Sequence, residues 1–268
     1  MYSELLLVVS DERVMDITTV AVGFITGLCV GATSTGGGAL LTPALILIMG
    51  ISPSKAIGTG VAIAAVMKFV AGGAFIWRSQ VHWQSVWRLA IGSIPGVLVG
   101  LAILQQLQNV VALESYLQQL LAILLFLAGV TGLVRLRPRH SNGVKEQGPS
   151  VGVAIVLGFV TGLLVTITSV GSGSLLLAVL LVFFPMAAMQ VVGTDLAHAF
   201  LLTSVASLGH FVAGRVDLNL MTWVLLGGVP GALLGVSLAT KIPERWLRIG
   251  LSVVLIGLAL QLFSSGNA

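Results

Sequence analysis

The stretch GFITGLCVGATSTGGGALLTP, residues 23–43, joins one apolar run to another through a cluster of glycines and hydroxyl side chains. A second copy, GFVTGLLVTITSVGSGSLLLA, occupies residues 158–178. In both copies a hydrophobic run ends at Thr-Ser and is followed by glycines, which permit backbone angles that a helix does not use. The pattern therefore predicts a helix that breaks within an apolar environment, and it predicts this break twice.

The two copies belong to a duplication that covers most of the chain. A shift of 135 residues aligns 23–100 with 158–235 without a gap, and about 25 of the 78 paired positions are identical. Self-similarity at a fixed offset over this length indicates two structural repeats. We predict an N-terminal repeat at 1–134, a cytoplasmic connecting loop at 135–150 and a C-terminal repeat at 151–268.

The composition is that of a membrane protein. Of the 268 residues, 57% are hydrophobic and only 8% are charged, and the mean hydropathy is +1.08. A soluble domain needs more polar surface than this. The net charge of +4 comes from basic residues at the ends of apolar runs, which favours orientation in a bilayer over binding of nucleic acid. We predict an all-α polytopic protein of the plasma (inner) membrane.

Each repeat contains about five hydrophobic segments, and the second segment of each is short. A stretch of about a dozen residues at 1.5 Å per residue is too short to cross a hydrocarbon layer of ~30 Å. It is expected to be a half-helix or part of a re-entrant hairpin. The predicted segments are 14–34, 38–50, 56–77, 84–104 and 115–134 in the first repeat, and 151–170, 174–185, 190–212, 220–240 and 246–263 in the second.

The basic residues allow a test of orientation. If all ten segments change sides, nine basic residues collect on one side of the membrane and three on the other, as the positive-inside rule requires. Five crossings per repeat make the two repeats inverted, with both termini outside. If the short segments do not cross, the distribution becomes eight against four and both termini are cytoplasmic. We favour the inverted arrangement, which recurs in transporters with a binding site near the midplane.

The glycine-rich breaks are the first candidate binding site. Backbone N–H groups freed at a helix start form a concave donor cluster at the positive end of the helix dipole, and this arrangement favours anions. Hydroxyl groups beside them add further donors. The alternative is that the glycines only permit close helix crossing. The predicted substrate-binding residues in the breaks are Ser34, Thr35, Gly36, Gly37, Gly38, Ser169, Gly171, Ser172 and Gly173.

Ionisable residues inside the apolar segments form the second candidate group. Lys68 lies in the third segment, and Asp195 and His198 lie in the equivalent segment of the second repeat. Such residues are costly unless they are paired or hydrated, about 2.5–3.5 kcal/mol on insertion for Lys or Asp, and they usually mark a pathway. We assign Lys68 to substrate binding, and Asp195 with His198, three residues apart on one helix face, to proton coupling.

Structural alternatives remain for these residues. Lys68 and Asp195 could form a purely structural ion pair, and His198 could be hydrogen-bonded to a backbone carbonyl. Thr59 and Thr194, which follow matching glycines, either line the substrate cavity or cap helices. His210 and five tryptophans lie near segment ends, where they suit the membrane interface; the tryptophans are Trp77, Trp83, Trp87, Trp223 and Trp246.

Several motifs together resemble the sulfite exporter TauE/SafE family. They are GFITG at 23–27, GGGALLTP at 36–43, AIGT at 56–59 and SIPGVLVG at 93–100, and the second repeat adds GTDLAH at 193–198 and GVPGALLG at 228–235. The resemblance covers residues 18–263. Related members carry an Asp after both Gly-Thr pairs, whereas this chain has Gly60 in the first repeat and Asp195 in the second.

The resemblance implies a membrane transporter that exports a small sulfur-containing anion such as sulfite, thiosulfate or an organosulfonate. The alternatives are a passive anion channel and a membrane assembly or sensor protein that transports nothing. No catalytic motif and no metal-ligand spacing appears, so we expect neither an enzyme nor a metal or cofactor. The expected partners are the anionic substrate, the lipid bilayer and a second copy of the chain in a homodimer, with no nucleic acid.

Overall fold

The computed structural model describes residues 2–35, 37–107, 112–134, 150–170, 173, 176, 180, 186, 188–239 and 244–265. Within these ranges the secondary structure is helical, without strands. The helices are α1 Tyr2–Thr33, α2 Leu41–Met49, α3 Pro53–Trp77, α4 Trp83–Gln106, α5 Leu113–Val134, α6 Val151–Thr168, α7 Ala188–Val212, α8 Leu218–Leu238 and α9 Glu244–Ser265.

The prediction of an all-α polytopic membrane protein is confirmed. Among the described residues, six helices are long and apolar enough to cross a membrane, and two shorter apolar helices lie at 17–33 and 252–264. Large hydrophobic side chains such as Ile17, Ile94 and Leu226 are exposed on the outside of the bundle, as a lipid-facing surface requires. The six candidate spans are Pro53–Trp77, Trp83–Gln106, Leu113–Val130, Val151–Thr168, Gln190–Val212 and Leu218–Leu238.

The second helix is short, as its sequence predicts. α2 has nine residues, which gives a length of about 14 Å at 1.5 Å per residue. It ends at Gly50, whose left-handed conformation (φ 64°) closes the last turn. Gly50 N–H donates to the carbonyl of Ile46 at 3.1 Å, which is the single C′-to-C3 bond of an αL cap, and Ile51 N–H donates to the carbonyl of Leu45, also at 3.1 Å. The corresponding segment of the second repeat, 174–185, lies almost wholly outside the described residues.

The two repeats are interleaved in space. α1 of the first repeat packs along α8 of the second, and α6 of the second packs along α4 of the first. These two pairs are equivalent under the 135-residue offset. The central pair consists of the equivalent helices α3 and α7, and α5 packs along its own counterpart α9.

Glycines bring the backbones of the interleaved helices together. A Cβ on Gly27 of α1 would collide with the carbonyl of Gly228 in α8, and a Cβ on Gly162 of α6 would collide with the carbonyl of Ser93 in α4. The offset of 135 residues relates these two contacts. Small residues at such crossings allow the close backbone approach that drives helix association in membranes.

The direction of the helices follows from their contacts. Gly23 meets Val224 and Gly31 meets Ala232, so α1 and α8 are parallel. In the central pair, Gly72 faces Leu196, whereas Gly193 lies beside Phe75 of α3. The residue numbers therefore run in opposite senses, and the equivalent helices α3 and α7 are antiparallel. An inverted repeat would have this geometry; the orientation of each repeat across a bilayer stays a prediction.

Two details differ from the sequence expectations. α1 begins at Tyr2 rather than near residue 14, so the helix extends beyond the predicted apolar segment at its N-terminal end. His210, expected at the membrane interface, is fully buried, and its Nε2 lies 3.0 Å from the carbonyl oxygen of Thr166. Trp77, Trp83 and Trp87 are exposed, and their location at a membrane interface stays a prediction.

Candidate functional site

Both predicted helix breaks are present, and their first residues, which the structure describes in both copies, have the same conformation. Ser34 follows α1 and Ser169 follows α6, with left-handed φ angles of 61° and 62°. Such angles are uncommon for a residue with a side chain and concentrate at functional sites. In each copy, the threonine before the serine accepts a hydrogen bond from the backbone N–H of the residue after the serine. Thr33 Oγ1 accepts from Thr35 N–H at 3.1 Å, and Thr168 Oγ1 accepts from Val170 N–H at 3.2 Å.

The two breaks are in direct contact. Thr35 Oγ1 donates a 2.8 Å hydrogen bond to the carbonyl of Gly173. The carbonyl of Ser169 packs against Gly38, and the carbonyl of Ser34 packs against Gly173, so neither glycine has space for a side chain. These reciprocal contacts bring the two predicted halves of the site together.

Asp195 reaches this junction from α7. Its side chain is fully buried, and its Oδ2 accepts a 2.5 Å hydrogen bond from Ser34 Oγ. The backbone amide of Gly173 also interacts with the carboxylate. Oδ1 has no hydrogen-bond partner among the described residues. A carboxylate from one repeat thus binds the break of the other.

Lys68 reaches the same junction from α3. It is one of the large side chains that are fully buried in the described ranges, and its Nζ donates to the carbonyl of Ser34 at 3.5 Å. Its ammonium group interacts electrostatically with Asp195, and a Cβ on Gly37 would lie 3.6 Å from its Cε. The site therefore combines one buried cation and one buried carboxylate at the contact of the two breaks.

His198 has a different partner from Asp195, although the two lie on one helix. Its Nε2 lies 3.0 Å from the hydroxyl of Ser93 in α4, and the imidazole also interacts with the backbone of Leu89 in the same helix. The carboxylate of Asp195 is turned to Ser34 instead. The two residues predicted to couple protons therefore contact different hydroxyl groups. Asp195 binds Ser34, which follows α1, and His198 contacts Ser93 in α4.

Thr59 and Thr194 support the turns between helices. Thr59 Oγ1 accepts the N–H of Asp217 at 3.0 Å, and Thr194 Oγ1 accepts the N–H of His82 at 2.9 Å. His82 and Asp217 are the residues that cap α4 and α8. Each threonine hydroxyl therefore ties a central helix to the turn that begins a helix of the other repeat.

The turn before α8 carries a further anchor. Arg215 donates from Nη2 to the carbonyl of Leu104 at 2.8 Å. Burial lowers the pKa of its guanidinium, and the Glu114 carboxylate partly offsets this effect. Glu114 in turn accepts from the N–H and the hydroxyl of Ser54 at the start of α3.

Some of the predicted site residues lie outside the described residues, and two residues at the site were not predicted. Gly36, Gly171 and Ser172 lie outside the described residues. Ser93 and Thr42 were missed; Ser93 binds His198, and Thr42 is buried in α2 beside Gly60. Both lie inside quoted motifs, GGGALLTP and SIPGVLVG, but their repeat equivalents are Leu177 and Gly228, so the repeat pattern did not mark them. No group of three potential metal ligands occurs in the part of the chain that the structure describes.

Comparison with known proteins agrees with this architecture. The sequence profile of the sulfite exporter TauE/SafE family matches residues 19–262. The chain belongs to the TauE/SafE family. This membership confirms the resemblance carried by the motifs and groups the chain with membrane transporters rather than enzymes.

Curated relatives span nearly the same length as this TauE/SafE family member. The chain is 34% identical to the probable membrane transporter protein YjnA of Bacillus subtilis over 92% of this chain and 100% of that protein. It is 26% identical to a probable membrane transporter protein of Xylella fastidiosa strain 9a5c, with 84% and 85% covered. It is 24% identical to YunE of Bacillus subtilis, with 92% and 97% covered. No solved structure matches the chain.

Proposed function

We propose that this protein exports a small sulfur-containing anion, such as sulfite, thiosulfate or an organosulfonate, through a site where the two glycine-rich breaks meet. The family name, sulfite exporter, supports the choice of anion. The buried cluster of Lys68, Asp195 and Ser34 carries the proposal. Burying two ionisable groups in an apolar bundle is costly, and such groups mark substrate and ion pathways in membranes.

The chemistry of the junction suits a weakly bound anion. Lys68 supplies positive potential, while Asp195 offsets it, so an anion would not be held by an uncompensated charge. Backbone amides and hydroxyl groups replace part of the hydration shell. A transporter needs a site of this kind because the substrate must leave as well as enter.

Asp195 and His198 are proposed to carry the coupling proton. Both are fully buried, and Oδ1 of Asp195 has no hydrogen-bond partner among the described residues. A passive channel or uniporter is the alternative. An imposed proton gradient would accelerate export in the first case and leave it unchanged in the second.

The test is counterflow of labelled sulfite in proteoliposomes. Wild-type protein is expected to exchange sulfite above the level of empty liposomes. The double variant Lys68→Met with Asp195→Asn removes both charges together, so it should remain folded and lose exchange. Gly73→Ala, which faces open space, is the control that should retain it.

Two results would contradict the proposal. If wild-type protein exchanges neither sulfite, thiosulfate nor a taurine-type sulfonate, the protein does not transport these anions and a non-transporting assembly or sensor role is favoured. If the double variant elutes as a monodisperse protein and exchanges sulfite at the wild-type rate, the site is elsewhere.

A further inference from the structure

Gly60 is the position in the first repeat that corresponds to Asp195 in the second. The offset of 135 residues also relates Ser34, which binds Asp195, to Ser169. The symmetry of the fold would therefore put a carboxylate at residue 60 in contact with Ser169. The chain has no side chain there.

The hydroxyl groups around this position are buried and unpartnered. A Cβ added to Gly60 would lie 2.6 Å from Thr42 Oγ1 and 3.4 Å from Ser169 Oγ. Thr42 is 0% and Ser169 is 2% exposed. Neither hydroxyl has a hydrogen-bond partner within the described part of the chain. Buried hydroxyl groups nearly always have a partner, so two at one point indicate a missing ligand.

The equivalent half of the molecule shows which ligand would fit. There, a carboxylate oxygen of Asp195 accepts the hydroxyl of Ser34 at 2.5 Å. The two serines have the same left-handed backbone and the same supporting threonine bond. The hydroxyl of Ser169 is therefore oriented as that of Ser34 is, toward an oxygen that the described part of the chain does not supply.

We infer that Thr42 and Ser169 form an oxygen-binding subsite above Gly60, which takes one oxygen of a small oxyanion in the place that a second carboxylate would occupy. This inference rests on the proposed function and specifies part of that site. Lys68 lies in the same junction, beside Gly37 and the Ser34 carbonyl. Its positive charge favours an anion over a metal cation.

The end of the Thr42 side chain limits the space above Gly60. A side chain at residue 60 would occupy the subsite permanently. Glycine at this position therefore keeps the subsite available for the substrate.

The test compares sulfite binding and exchange in variants of the full-length protein. Thr42→Val keeps the shape of the side chain and removes the donor. It should raise the half-saturating sulfite concentration about tenfold, as expected for loss of one hydrogen bond to a charged ligand. Ser169→Ala should have a similar effect. Thr222→Val, an exposed threonine on α8, is the matched control and should leave it unchanged.

Gly60→Asp supplies the carboxylate from the protein. It should abolish both saturable sulfite exchange and the rise in melting temperature that bound sulfite gives to the wild type. Thr42→Val keeps the inference testable if Gly60→Asp does not fold, because loss of an unpartnered hydroxyl should not lower stability.

The outcomes separate the inference from the proposed function. If wild-type protein exchanges sulfite and Thr42→Val has the wild-type half-saturating concentration, the subsite is refuted while sulfite transport stands. If wild-type protein neither exchanges sulfite nor is stabilised by it, the proposed function fails first. A monodisperse Gly60→Asp variant with full exchange would also overturn the subsite.

Discussion

The hydroxyl of Ser34 donates to the carboxylate of Asp195, 161 residues later in the chain, whereas its repeat equivalent Ser169 has no partner in the described structure. Two serines with the same backbone conformation therefore differ in their contribution to stability. A hydrogen bond to a buried charged group matters most when its loss leaves that group unsatisfied. The repeat provides an internal control for this effect.

We expect Ser34→Ala to lower the free energy of unfolding by about 1–3 kcal/mol, because Asp195 loses a donor inside the membrane. Ser169→Ala should leave stability unchanged or raise it slightly. Thermal unfolding in detergent, followed by the monodisperse fraction, measures both. Equal destabilisation by the two substitutions would show that Ser169 has a partner in the folded protein.

The glycine crossing between α1 and α8 gives a second prediction. A side chain on Gly27 meets the backbone of Gly228, which cannot move aside as a flexible side chain can. Gly27→Ala should therefore cost at least about 1–3 kcal/mol, the range for overpacked cores, and reduce the yield of folded protein. Gly73→Ala meets open space and should match the wild type. A normal melting temperature for Gly27→Ala would mean that the helices are not in close contact.

The breaks and the short second helix were predictable because they depend on local sequence. Thr-Ser followed by glycines predicts the break wherever it occurs, and its recurrence at a fixed offset made the prediction stronger. The length of α2 follows from the distance between the glycines and Gly50. The short helix α2 and the helical fold could therefore be predicted without knowledge of tertiary contacts.

The partners of the buried polar residues were not predictable in this way. The spacing of Asp195 and His198 suggested that they pair, but the interleaving of the repeats brings Ser34 to one and Ser93 to the other. No local pattern shows that α1 packs along α8 rather than along α4. Thr42 was missed for the same reason, because only the packing of α2 against α3 brings it to Gly60.

The two threonines at the starts of the central helices provide a third prediction. Thr59→Val and Thr194→Val each leave a backbone N–H, of Asp217 or of His82, without its acceptor. Both hydrogen bonds are partly buried, so each valine variant should lose less than the roughly 1–3 kcal/mol that a fully buried unsatisfied donor costs. Thr59→Ser and Thr194→Ser keep the hydroxyl and should recover most of this loss in thermal unfolding. If the serine variants are as unstable as the valine variants, the methyl contacts matter and the hydrogen bonds do not.

The buried charges give the last prediction, which concerns folding rather than transport. Lys68→Met leaves Asp195 as an uncompensated buried carboxylate, and breaking such a pair costs about 3–5 kcal/mol. Adding Asp195→Asn removes the remaining charge and keeps a group that can accept from Ser34. The double variant should therefore be more stable than Lys68→Met alone, as measured by melting temperature and monodisperse yield. If the second substitution lowers stability further, Asp195 is stabilised chiefly by Ser34 and Gly173, and Lys68 is present for a reason other than compensating its charge.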